Sequence, residues 1–544
     1  MRSEVIRIYK RVHAWTGIVA GMALFIAFYA GALTIFKEPL ARWVAPPHAE
    51  TAMSLDEAQT LIVRALKARP EMAKDFHLYL KSAEHLPAGI GWQARPAGAD
   101  EHDSASARHY VATLDATGAV RIEETHPSRL PEFIDTLHRV VGLPVDNDPS
   151  RWVMGVVAVL YALALVSGVI VLLPSLVKDF FALRVDRNPK RMWLDAHNVV
   201  GIVSLPFHVV MALTAVIFAW HDGIYRVQDT LVHGGRWANA FQRPGGPSRA
   251  APRDPAAMLP PAELLSRVQA FSPTFEAGAL QYLQATGPRA AVRVWGHDPG
   301  AHSPRALGGF VGLDPYSGKV TSTDFMPGKQ DAANATVASF FALHLGTYGG
   351  TPVQWMYFLL GLAGAWLFYS GNLLWVETRR RKQAGDDSAP PVQRRDARLM
   401  AAATVGVCLG SVCGISLAIA GGKWLHVLTG EANAGIVPLY YAVFFAAVIW
   451  AFLRGAARAS VHLLWLAAVL AFAIPLTTLL AWLFPSLGLW AHGSAAALGV
   501  DATALMGGIG FAWLARVAAR RAWHGPRDSV WSALAAKPPR KTNR

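Results

Sequence analysis

The sequence predicts a polytopic α-helical membrane protein: a duplicated four-helix core, two small α+β domains outside the membrane, and four further C-terminal transmembrane helices. Three observations carry this. Eight apolar runs recur along the 544 residues, each near the roughly 18 residues that a ~30 Å hydrocarbon core requires. Only 16% of residues are charged against 53% hydrophobic, with mean hydropathy +0.27, which is too little charge for a soluble chain of this size. Segments of the first third also recur, in order, in the second.

The first run is 14–36. Arg2, Arg7, Lys10 and Arg11 precede it and place the N-terminus in the cytoplasm. No small-residue cleavage site follows, so the run reads as an anchor rather than a signal peptide. Residues 39–150 are polar. A helix starts at Ser54-Leu55-Asp56-Glu57 and runs to about Ala68, with acidic residues in its first turn. Strands follow at 76–80, 91–95, 109–114 and 119–124, the last two joined by the turn Asp115-Ala-Thr-Gly118. The second run, 152–173, is followed by Lys178, Arg184, Arg187, Lys190 and Arg191, a cytoplasmic signature.

The third run is 196–220. The second polar region, 221–350, opens with a Pro- and Gly-rich linker over 243–261. A helix at 261–270 and strands at 280–284, 291–295, 309–313 and 319–322 come next. The fourth run, 353–376, is closed by Arg379-Arg-Arg-Lys382. Four more runs lie at 399–420, 436–453, 462–484 and 495–517. Every strongly basic loop falls on one side, so both termini are expected in the cytoplasm. The divisions are a first repeat 1–175 with an outer domain at 39–150, and a second repeat 176–380 with an outer domain at 221–350. A cytoplasmic linker 381–398, a C-terminal four-helix membrane region 399–520 and a basic tail 521–544 complete the chain.

The net charge of +14 is gathered at the ends of apolar runs. Topology explains it, and nucleic-acid binding is excluded on that ground. The two cysteines, Cys408 and Cys413, share one run. They form neither a disulfide framework nor a zinc site and are expected to pack as small apolar residues. Asp501 reads as a snorkelling carboxylate ahead of a proton-carrying one. His221, His426, His462 and His492 lie at run ends, where headgroup contact is the default. The glycines of 361–371 are expected to allow close helix packing.

The repeat is visible residue by residue. His13-Ala-Trp-Thr-Gly17 opens the first run and His197-Asn-Val-Val-Gly201 opens the third. Leu114-Asp-Ala-Thr-Gly118 matches Leu313-Asp-Pro-Tyr-Ser-Gly318 with one insertion. Leu137-His138 precedes the second run and Leu343-His344 the fourth; Ser167-Gly168 and Ser370-Gly371 lie late in those runs. The copies are parallel, which gives a core with a pseudo-twofold axis normal to the membrane. Symmetry then pairs His13 with His197. Two imidazoles facing each other across a bundle are what six-coordinate b-type haem needs. His138 and His344 form the equivalent outer pair. His208 has no copy, because its counterpart is Leu24; on an unbroken helix it shares a face with His197, roughly 16 Å along the axis. It is a candidate outer ligand with His344 or His138. Against this stands the plainer reading of each as a polar helix–helix contact or an interfacial residue.

These motifs, with Leu205-Pro-Phe-His208 and Leu343-His344-Leu-Gly346, resemble the PepSY-associated transmembrane helix family of bacterial inner-membrane proteins over about residues 1–380. The resemblance implies PepSY-like periplasmic domains and a haem-binding core. It implies one or two haem b groups held by His13, His197, His208, His138 and His344 as axial ligands. It implies an oxidoreductase that reduces a periplasmic acceptor, a ferric siderophore by analogy with family members, and frees Fe(II). The electron donor is then a quinol or a cytoplasmic reductant. Two other classes stand beside it: a non-redox protein whose outer domains bind or regulate a partner, and a transporter. The last four runs lie outside the resemblance and carry no assigned role.

Overall fold

The computed structural model describes residues 3–47, 54–80, 89–94, 107–115, 117–177, 189–232, 234, 252–303, 308–377, 394–527 and 529–534. The chain runs α1 (Ser3–Thr34), α2 (Lys37–Val44), α3 (Leu55–Ala68), β1 (Asp75–Tyr79), β2 (Gly89–Ala94), β3 (Arg108–Leu114), β4 (Val120–Thr125), α4 (Leu130–Arg139) and α5 (Asp148–Leu172). It continues with α6 (Pro189–Val203), α7 (Leu205–Val232), α8 (Pro261–Phe271), β5 (Glu276–Leu283), β6 (Ala291–His297), β7 (Gly309–Leu313), β8 (Val320–Phe325) and α9 (Ala332–Leu345). It ends with α10 (Gly350–Glu377), α11 (Arg395–Thr429), α12 (Ala432–Arg454), α13 (Ala456–Leu483) and α14 (Ala495–His524). Eight of these helices are long and apolar enough to cross a membrane: α1, α5, α7, α10 and α11 to α14. The protein is a multi-pass membrane protein, as the eight apolar runs require.

Two units divide the chain: Met1–Ala45, Ser128–Val216 and Phe358–Arg544 form one, Pro46–Pro127 and Ile217–Tyr357 the other. In the second unit the strands expected in two separate outer domains make one continuous antiparallel sheet, ordered β4-β3-β2-β1-β5-β6-β7-β8. The halves join where β1 pairs β5, with Phe76 opposite Tyr282 and their rings stacked at 4.7 Å. Alternation places Phe76, Leu78, Ile90, Leu280, Tyr282, Val292 and Val294 on one face. Leu61, Ile62, Leu264 and Val268 of α3 and α8 cover that face and complete the core. The start of α3 is fixed by a capping box: Ser54 accepts from Glu57 N, and the Glu57 carboxylate accepts from Ser54 N.

The repeated Asp–Gly turns also fold alike. Asp115 Oδ1 accepts from the amides of Thr117 and Ala119 at 2.8 and 2.9 Å. Asp314 Oδ1 accepts from those of Tyr316 and Ser317 at 2.9 and 2.8 Å. Arg64 of α3 donates to Gly118 O, and Arg267 of α8 donates to Ser317 O. Residues 243–251 of the expected linker 243–261 lie outside the described residues.

In the first unit α11 is buried nearly all round. Gly406, Gly410 and Gly414 form a stripe against which α12 lies: a Cβ on Gly406 would sit 2.8 Å from Val448 Cα, and one on Gly414 3.1 Å from Tyr440 O. Small residues at this spacing let helix backbones approach closely where the hydrophobic effect gives no drive. The last four helices do not stand apart from the repeat. Ile415, Ala418 and Ile419 of α11 share a core with Ala30 of α1, Trp43 of α2 and Leu130, Ile134 and Leu137 of α4. Cys408 and Cys413 pack with Phe25 and Ala365, as small apolar residues do.

One expected span differs. The run 196–220 is not a single helix: α6 ends at Val203 and α7 begins at Leu205. Pro206 has no N–H to give to Ile202 O, so the ladder loses a bond there, while Ser204 Oγ turns onto Val200 O at 2.6 Å. The break falls between His197 and His208, so the unbroken-helix geometry that aligned them does not apply. Helix α7 also runs on to Val232, through the residues expected to begin the second polar region.

Candidate functional site

The first unit brings His13, His197 and His208 together; the other two imidazoles both lie within electrostatic range of His197. His13 projects from α1 onto α5. Its Nδ1–H donates to Ala164 O at 2.8 Å, and Gly168 makes room for the ring, since a Cβ there would sit 3.0 Å from it. His197 repeats the arrangement from α6 onto α10. Its ring faces Gly371, whose Cβ would lie 3.4 Å away, and its Nδ1 is 3.0 Å from Ser370 Oγ. Ser370 gives its own proton to Leu367 O at 3.1 Å, so it accepts from Nδ1–H. These are the Ser-Gly pairs that the repeat aligns. The glycines of α10 therefore do more than admit a neighbouring helix: two of them, Gly364 and Gly371, face histidines.

Both rings thus spend Nδ1–H on a fixed acceptor and keep the Nε2 lone pair. A metal-ligating histidine is oriented in this way, its second nitrogen held by a carbonyl or hydroxyl. The proton positions follow from the hydrogen-bond network.

His208 is 4% exposed. Tyr161 of α5 donates its hydroxyl proton to His208 O at 3.1 Å and lies 2.6 Å from His208 Nδ1. Having given its one proton away, the phenol oxygen accepts Nδ1–H. Nε2 is buried, with no hydrogen-bond partner among the described residues. Phe28, Phe207, Phe368 and Tyr161 surround the ring. A buried nitrogen lone pair without a partner costs free energy unless something fills it.

His138 sits on α4, with Nδ1–H donating to Ala27 O at 2.8 Å and the ring seated over Gly31. A charge network fixes α4. Lys37 Nζ lies 2.5 Å from Glu132 and 2.9 Å from Asp135. Arg139 pairs with Glu132 and Asp146, and Arg151 with Asp146 at 2.8 Å. Burial works against the Lys37 ammonium, but Asp135 and Glu132 outweigh it and raise its pKa. Burial likewise pushes the Asp135 carboxyl up, and Lys37 and Arg139 hold it below the usual range. His344 belongs to the second unit. It is half-buried near the end of α9, edge-on to Phe218 at 5.1 Å, just before the left-handed cap Gly346.

Two expectations at span ends are corrected. His492 is 5% exposed, with Nε2 donating to Ala45 O at 2.7 Å, so it is a buried tether rather than a headgroup contact. Asp501 does not snorkel: Oδ1 accepts from Trp43 Nε1 at 2.9 Å and Thr478 Oγ1 at 3.0 Å. Lys423, which sequence reasoning passed over, is fully buried. Its ammonium lies 3.8 Å from the Trp43 ring centroid and donates to Trp490 O at 3.0 Å. Tyr161 was also passed over. The signal was a lone phenol in the aliphatic run Val157–Val166, where a buried hydroxyl must find a partner.

A family model described as PepSY-associated TM region matches residues 10–378 of the chain. No curated protein matches it.

Proposed function

The chain belongs to the PepSY-associated TM family, and from that premise we propose that it is a haem b-containing electron-transfer protein of the bacterial inner membrane. The acceptor is periplasmic, most simply a ferric siderophore whose reduction frees Fe(II). The donor is a quinol or a cytoplasmic reductant. The observation that carries this reading is the buried Nε2 of His208, without a hydrogen-bond partner among the described residues, in a unit where His13 and His197 also have Nδ1 occupied.

The donor set fits haem iron. His13 and His197 would hold one group, and His208 with His138 would hold a second. Bound, haem b supplies one-electron transfer between donor and acceptor. The chain's own residues do the rest. Ala164 O and Ser370 Oγ fix the two imidazole planes and leave Nε2 as the donor atom. Gly168 and Gly371 let those rings seat against α5 and α10. Phe28, Phe207 and Phe368 keep water from His208. Reduction releases iron because hard oxygen ligands bind Fe(II) far more weakly than Fe(III).

The test is an optical spectrum of the purified protein, oxidised and then dithionite-reduced, with a pyridine haemochrome count. A sharp low-spin b-type α-band that His197→Ala abolishes or diminishes is the expected result. No haem after expression with ample haem supply refutes the reading and leaves a partner-binding protein.

A further inference from the structure

The two copies of the repeat differ most sharply where His208 sits. Aligning His13 with His197 sets His208 opposite Leu24, which is 2% exposed. Aligning Gly168 with Gly371 sets Tyr161 opposite Gly364. Both members of that second pair touch His208. Tyr161 holds its Nδ1 from α5, at 2.6 Å. Gly364 clears space for it on α10, where a Cβ would lie 3.1 Å from His208 Cε1 and 2.4 Å from Phe28 Cδ1. The asymmetry is therefore one coordinated change: a histidine gained on α7, a phenol facing it from one copy, and a glycine facing it from the other.

We propose that Tyr161 is the positioning residue of His208. It fixes the tautomer so that Nε2, and not Nδ1, carries the lone pair offered to a metal centre. The argument is geometric. A phenol has one proton, and Tyr161 spends it on the backbone carbonyl of the residue whose ring it also contacts. Its oxygen can then only accept, so the ring must present Nδ1–H to it. Two bonds to one residue fix the ring rotation as well as the tautomer. Phe28 and Phe368 pack edge-on against the Tyr161 ring at 5.5 and 5.7 Å and hold the phenol in turn. The inference rests on the haem reading for its purpose, but its structural content stands without haem.

Tyr161→Phe removes one oxygen and keeps the ring and its packing. In protein labelled with ¹⁵N-histidine, the wild type should show a buried imidazole with Nδ1 protonated and Nε2 bare. That signal should be lost in His208→Ala and should become a mixture of tautomers in Tyr161→Phe. In haem-loaded protein the same variant should lower occupancy of the His208 centre by about 10- to 100-fold, as loss of outer-shell partners does, or move its midpoint potential upward. The His13/His197 component should stay unchanged. A Tyr161→Phe protein with an unaltered His208 tautomer overturns the proposal. So does one whose haem count and potentials match the wild type. Wild-type protein without haem but with the predicted tautomer would refute the electron-transfer reading and leave the positioning role standing.

Discussion

Trp43 stands between a buried cation and a buried carboxylate, and a double-mutant cycle reads how strongly it ties them. The Lys423 ammonium lies over its face at 3.8 Å, and Asp501 Oδ1 accepts from its edge at 2.9 Å. Trp43→Phe keeps an aromatic ring for the ammonium but removes the N–H together with one ring of the indole, a packing loss at a buried site that the cycle subtracts. Asp501 then keeps Thr478 as its donor at 3.0 Å. A hydrogen bond to a charged group contributes about 1.5–3 kcal/mol, so this single change should lower the unfolding free energy by at least that much, the lost ring volume adding to it. Asp501→Asn keeps an acceptor at Oδ1 but removes the charge, and with it the charge-assisted half of the bond. If the two share one bond, the double variant must cost less than the sum, with a coupling of at least about 1 kcal/mol. Equilibrium unfolding of the full chain in mixed micelles measures it. Additivity within ~0.5 kcal/mol would show that the Nε1–carboxylate contact contributes nothing, and would refute the view that this cluster clamps α14 to α2.

Four further outcomes follow from the same structure. Gly364→Ala places a methyl 2.4 Å from Phe28; it should cost about 1–3 kcal/mol by overpacking and weaken any α-band assigned to His208. Gly17→Ala meets nothing within 4 Å and should leave spectrum and stability within about 0.5 kcal/mol. Because the Asp135 carboxyl is held below its ordinary range, its contribution is present above the unfolded value near pH 4 and is lost as pH falls through the depressed one. Acid unfolding should therefore begin at higher pH in Lys37→Met than in the wild type; identical acid curves would sink that account. Tyr282→Ala removes a fully buried ring stacked on Phe76 and should cost about 3–5 kcal/mol. In one continuous sheet, hydrogen-exchange protection should fall in β2 as well as β6, whereas independent domains would lose it on one side only.

What the sequence told and what it withheld divide along physical lines. A bilayer writes its thickness into a chain as run length, so all eight membrane helices were legible. Turn chemistry writes itself locally too: Asp115 and Asp314 caught the two repeated turns because a short carboxylate must accept from nearby amides. The joining of two half-sheets was not legible, because β1 and β5 pair through backbone groups that any strand edge offers. The break at Ser204 had its signal in Pro206, but run length masked it. His492 and Asp501 were misread because position along a helix does not say which neighbour covers it. His208 could be singled out, since imidazole inside an apolar run is rare. Its partners could not, because Tyr161 and Gly364 lie on other helices and make sense only once these pack.

The last four helices acquire a physical reason from that packing. Helix α1 carries His13, supplies Phe28 against His208, and offers Ala27 O to His138. All three contacts depend on where one helix lies and how it is rotated. In lipid, apolar burial does not hold helices together; close packing of small residues and buried polar bonds do. Both devices are concentrated around α11. Its glycine stripe admits α12, and its Cys408 and Cys413 level packs onto Phe25 of α1. In the last turns of α11, Lys423 joins Trp43 and Asp501, and that cluster with the His492–Ala45 bond ties down α2, which only two residues separate from α1. A four-helix repeat alone would leave the outer face of α1 to mobile lipid. With α11 against it, that face meets fixed side chains, and the histidine geometry depends on protein contacts rather than on the bilayer.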